Sequence, residues 1–187
     1  MRTLHGLPVT FAAIALASVV LLSPSASAQD VGPAQRAHYA QTDERVPTTA
    51  QLAIIDIIGR MNQAIDANDY ATYASFYSED GYIDSGFGPL SRGREAIIAS
   101  LEQSAPFITN KRHAATNIVI NRDGDRLVAV YYLTVFERSA SLTLAGTALI
   151  TDTFERRNGR WHVVSHVTRM DPATLQAMSA AMAAPPQ

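Results

Sequence analysis

No cysteine occurs anywhere in the chain, and that absence removes several possibilities at once. Disulfides, a lipid-bearing cysteine, a thiol nucleophile and thiolate metal sites are excluded. An excess of one charge is lacking too. The 15 Lys and Arg residues stand against 17 Asp and Glu, for a formal net charge of −2. There is therefore no basic footprint for nucleic acid. Neither a Gly-x-Ser-x-Gly elbow nor a Gly-x-x-x-x-Gly-Lys-Ser/Thr loop is present, so the common hydrolase and phosphate-cradling motifs are set aside. Gly86, Gly88 and Gly93 lack nucleotide-binding spacing, and Pro89 interrupts them. The longest apolar run, Leu7 to Leu22, is shorter than the roughly 20 residues that a membrane span needs.

That run still carries information. Arg2 precedes it, and it ends in Ala26-Ser27-Ala28, a small-x-small pattern suited to signal peptidase. The expectation is a cleavable signal peptide over residues 1–28, cut after Ala28, and a periplasmic or secreted protein. An uncleaved anchor is the alternative. With the signal removed, no membrane segment is expected. Residues 29–48 are polar and aperiodic and read as a tether. Residues 49–171 read as one domain. Residues 172–187 form an Ala/Met-rich tail, either a weak helix on the fold or a frayed end.

Within the domain the hydrophobic period changes once. Ile54, Ile58, Met61 and Ile65 fall at helical spacing and predict a helix from Thr48 or Thr49 to about Ala67. Asn68-Asp69 breaks it and caps a second helix bearing Tyr70, Tyr73, Phe76 and Tyr77. A short strand over Gly81 to Ser85, a loop, and a third helix from Gly93 to Gln103 follow. Beyond Pro106 come four stretches rich in β-branched and aromatic residues: 112–120, 126–137, 141–156 and 160–169. Turn residues separate them, including Asn158-Gly159, a strong hairpin signal. The fold class is α+β, with helices first and an antiparallel meander after. The stretch from Arg126 to Glu137 is apolar on both faces. Helices can cover only one side, so the other predicts contact with a second copy, a homodimer through the sheet. A more thickly covered monomer is the alternative.

Titratable residues offer two pairings. His162 and His166 sit four apart, but on a strand that separation spans about 13 Å, too far for one metal; neither a metal nor a cofactor is implied. Alternation along that strand places His162, Val164, His166 and Thr168 on one face. Asp66 ends the first helix at the border of its apolar stripe, and His113 opens a strand. A carboxylate beside an imidazole fixes its tautomer and leaves the second nitrogen as a base. The plainer alternative is that Asp66 caps the next helix and His113 is an ordinary strand-end histidine.

Four signatures in order resemble the SnoaL-like branch of the nuclear transport factor 2-like superfamily. They are Ala64-Ile65-Asp66-Ala67-Asn68-Asp69-Tyr70, Phe76-Tyr77-Ser78-Glu79-Asp80-Gly81, Arg92-Gly93-Arg94-Glu95-Ala96-Ile97, and His113-Ala-Ala-Thr-Asn117 with Thr151-Asp152-Thr153-Phe154 later. The resemblance implies a cone, a curved antiparallel sheet wrapped around helices with an apolar pocket inside. It also implies a lyase or isomerase that needs no cofactor, or else a ligand-binding or dimeric interaction module. By the same resemblance Asp66 and His113 match a catalytic dyad, with His166 or Tyr82 as donors to developing charge. Tyr73, Phe76, Phe107, Tyr132 and Trp161 are candidate contacts for a small apolar molecule. Two departures stand out: Met61 where dyad enzymes carry Tyr or Lys, and His166 where a dehydrochlorinase carries arginine.

Overall fold

A computed structural model describes residues 45–138 and 142–183, all within one unit. The expected signal peptide and nearly all of the tether lie outside the described residues. Among the described residues no helix is long and apolar enough to cross a membrane.

Helix α1 (Thr48–Asp66) buries Ile54, Ile58, Met61, Ala64 and Ile65, the stripe that the spacing predicts. Pro47, not a threonine, occupies the position before its first turn, where a missing N–H costs nothing. The helix stops at Ala67 because Asn68 turns left-handed, with φ 58°, a conformation asparagine tolerates better than most residues. Asp69 then caps α2 (Tyr70–Ser75), its side chain accepting the Thr72 N–H at 3.0 Å. Tyr77, expected on this helix, instead opens strand β1 (Tyr77–Asp84). Strand β2 (Ser91–Arg92) and helix α3 (Arg94–Ile108) follow. Helix α3 runs through Pro106, which lies in the final turn and forfeits one backbone bond without ending the helix. The meander is β3 (Lys111–Asp123), β4 (Arg126–Arg138), β5 (Leu142–Arg157) and β6 (Arg160–Met170).

These strands form one sheet in the order β2-β1-β6-β5-β4-β3. All pairings are antiparallel except β1 against β6, which is parallel. That single parallel pairing departs from the antiparallel sheet expected. It follows from the long excursion through α3 and the meander before the chain returns to β1. The close passage of β1 over β6 needs Gly81, where a Cβ would lie 2.8 Å from the Val163 carbonyl oxygen.

The helix-facing side of the sheet holds the core. Leu127, Phe154, Val163 and Tyr77 line up across four strands, and each is all but fully buried. Burying side chains of this size contributes about 1.5–3 kcal/mol apiece. Two irregularities shift the pattern. In β3 the register slips at Asn117, which has φ 54°. In β6 Val163 pairs with Phe154 and Ser165 with Thr153, leaving Val164 without a partner. This bulge corrects the alternation expected for β6: His166 lies across from the buried Asp152, and His162 across from Glu155, on the opposite face. The tail from Pro172 to Ala183 is a helix, α4. It docks on β5 through Thr174, whose hydroxyl accepts the Thr147 N–H at 2.9 Å and donates to its carbonyl at 3.1 Å.

Candidate active site

An aspartate in the last turn of a helix sits at the wrong end of the dipole, and α1 has no basic residue there to offset it. The compensation comes from β3, an edge strand whose outward N–H groups have no strand to pair with. Asp66 Oδ1 accepts the His113 backbone N–H at 3.0 Å and its ring Nδ1–H at 2.7 Å. Asp66 Oδ2 lies 3.2 Å from Arg112 Nε. One carboxylate thus joins helix to strand and orients an imidazole. The Asp66 and His113 side chains are only 10% and 9% exposed, whereas that of Arg112 is 60% exposed. With Nδ1 donating, the far nitrogen Nε2 is the one left to accept a proton, and no hydrogen bond engages it among the described residues.

These three residues line a groove of about 580 Å³ between α1 and β3, within the size range of small-molecule sites. Its apolar wall is Ile55, Ile58, Ala115 and Ile118, and its polar wall adds Asn62 and Gln63. Gly59 also lines it, and a Cβ there would meet nothing within 4 Å, so the helix surface stays low along the groove.

A second carboxylate–histidine pair lies deeper in the sheet. His166 Nδ1 is 2.7 Å from Oδ1 of Asp152, a fully buried carboxylate. The Tyr131 hydroxyl donates to Asp152 Oδ2 at 2.8 Å, and Thr168 Oγ1 lies 3.2 Å from His166 Nε2. Nearby, Tyr73 and Tyr77 share a hydroxyl contact of 3.1 Å. Burial pushes all three tyrosines well above the ordinary phenol range, the Asp152 charge adding to it. They therefore remain protonated donors.

The pattern of matched segments covers most of what has been described. A SnoaL-like domain model matches residues 47–167. The chain belongs to this family. Three solved structures are similar to this SnoaL-like domain. A Nostoc punctiforme protein of unknown function with a cystatin-like fold is 25% identical, with TM-score 0.65 over 70% of this chain and 97% of that one. Aln2 from a Streptomyces species is 22% identical, with TM-score 0.64 over 72% and 99%. ActVI-ORFA from Streptomyces coelicolor is 23% identical, with TM-score 0.61 over 65% and 98%. The likeness to these last two is one of fold. No curated protein matches the sequence.

Within the SnoaL-like domain, Asp66 and His113 come together, and the other expected residues lie elsewhere. His113 pairs with Val135 and Asp152 with Ala129. The two pairs therefore lie six positions apart along β4, about 20 Å of strand. His166 does not line the groove. Tyr82 lies under the Arg92 guanidinium, 4.8 Å from ring centroid to Cζ. Tyr73 is core, Tyr132 is exposed on the outer face, and Phe107 is exposed on α3. Phe76 and Trp161 line a different groove of about 440 Å³ beside the β5–β6 turn. None of these five aromatics lines the Asp66–His113 groove. Sequence reasoning missed two groups. Asp152 stands at a core position of the alternation Ile150-x-Asp152-x-Phe154, a signal that was there to read. Arg112 had none, since a strand neighbour of His113 should point the other way; only at an edge can its side chain wrap back.

Proposed function

We propose that this is an exported lyase or isomerase, working without a cofactor on a small molecule held in the α1–β3 groove. His113 removes a proton through Nε2, and Asp66 holds the ring and stabilises the imidazolium that forms. The proton then returns from His113 either to a departing group, as in a dehydration, or to another carbon, as in an isomerisation. The observation that carries this reading is the 2.7 Å bond from His113 Nδ1 to Asp66 beside an open groove. The family supports a small-molecule domain of this type.

The test is proton exchange in heavy water with a panel of enolisable ketones and β-hydroxy ketones, comparing wild type with His113→Ala. A positioned base is worth about 10²–10⁴-fold, so exchange should fall by that factor. Equal exchange in both proteins would leave binding alone as the function. That second reading has its own support: Asp66 also satisfies an edge-strand N–H, a role useful without any turnover.

We also propose that the outer sheet face forms a homodimer. Tyr132 and Leu144 are exposed on it at 56% and 61%, and they share that face with Val130 and Val167. Sedimentation equilibrium should show a dimer that Tyr132→Arg converts to monomer. A wild-type monomer at micromolar concentration would end this proposal.

A further inference from the structure

We infer that the groove selects molecules bearing a carboxylate, and that Arg112 is the residue that binds it; this rests on the groove being the ligand site proposed above. The three charged or polar partners are presented to the groove in different ways. Asp66 lines the groove but is only 10% exposed, with both oxygens occupied by His113 and Arg112. Arg112 is 60% exposed and engages Asp66 through Nε. Its two terminal nitrogens have no hydrogen-bond or ion-pair partner among the described residues. An arginine held by Nε is a pre-oriented fork, and the end it leaves open matches the two oxygens of a carboxylate. Among the described residues no other guanidinium or ammonium lines this groove.

The neighbouring cation is otherwise engaged. Lys111, one residue before Arg112, is paired with Glu137 at 2.6 Å. The rest of the groove suits the remainder of such a molecule. Ile55, Ile58, Ala115 and Ile118 would take an apolar body, and the Asn62 and Gln63 amides would meet polar substituents. Arg112 and His113 are consecutive on one strand and share one carboxylate, so an acid seated on Arg112 places its nearest carbons beside the imidazole. The ligand expected from the sequence as simply apolar thereby gains an acidic end.

Hydrocinnamate and its methyl ester differ in that charge and in one methyl group, and they are the probes. Titration calorimetry with the wild-type protein should show the acid binding about tenfold or more tightly than the ester, the size expected of one charge-assisted fork. Arg112→Gln should bring the ratio near one, while Lys111→Gln, at the neighbouring cation outside the groove, should keep it. A wild-type ratio near one, or a ratio that survives Arg112→Gln, overturns the inference. Should Arg112→Gln fail to fold, NMR of the wild-type Arg112 Nε–H decides: it should shift with the acid and stay put with the ester, and an unmoved signal at saturation refutes the assignment. If the acid preference holds while His113→Ala leaves proton exchange intact, the catalytic reading falls and the carboxylate site stands.

Discussion

Two carboxylate–histidine pairs share the same 2.7 Å bond from Nδ1 to Oδ1, yet they sit in opposite circumstances. Asp66–His113 joins the end of a helix to an edge strand and lines an open groove with a guanidinium beside it. Asp152–His166 lies mid-sheet, its carboxylate wholly buried and its second oxygen taken by Tyr131. Even the far ring nitrogen differs: Thr168 lies within hydrogen-bond reach of that of His166, while that of His113 has no such partner among the described residues. Geometry within the pair does not separate the proposed site from a strut. What separates them is whether the outer nitrogen has been spent on the fold.

The comparison can be broken by exchanging the two losses. His113→Gln should cost about 10²–10⁴-fold in proton exchange while moving the melting temperature less, because Asp66 keeps the residue-113 backbone N–H and Arg112 as partners. Asp152→Ala should do the reverse. Removing the buried carboxylate leaves the Tyr131 hydroxyl and the His166 ring without their acceptor, at about 1–3 kcal/mol each, on the order of 10 °C in total for a domain of this size, with exchange per folded molecule unchanged. Calorimetric melting and exchange rates on both variants check this together. A stable Asp152→Ala that has lost exchange would mean that the deeper pair is the working one.

Much of this arrangement was legible beforehand, and the exceptions have physical causes. The α1 stripe, the Asn68-Asp69 break and the meander follow from period and turn chemistry alone. Asp66 and His113 could be singled out because each sits at the end of an element, where a side chain has freedom to meet another. The side on which His166 lies could not be read. Strand alternation is a count, and the unpaired Val164 changes the count by one. The aromatic residues scatter for another reason: Tyr73, Tyr132 and Trp161 are alike in composition but occupy core, outer face and a separate groove. Arg112 became visible only once β3 proved to be the edge of the sheet.

His162 extends the comparison to a histidine whose ring bonds no carboxylate among the described residues, and it should give the smallest effect. Its Nδ1 is buried without a hydrogen-bond partner among the described residues, and burial, reinforced by Arg94, Arg157 and Arg160, holds its pKa below the ordinary value of 6.5. A group that is harder to protonate when folded binds fewer protons in the native state than in the unfolded one. Unfolding then takes up a proton across the window between the two pKa values, so stability rises with pH there. The contribution is complete above pH 6.5 and is lost as the pH falls toward the folded-state value. Urea midpoints measured from about pH 7.5 down to about 5.5 should therefore decline more steeply for wild type than for His162→Phe. Acid sensitivity common to both proteins belongs to other groups, and only the difference reports on His162. Parallel declines would mean that its ring is accommodated in both protonation states, and that the neighbouring arginines do not crowd it.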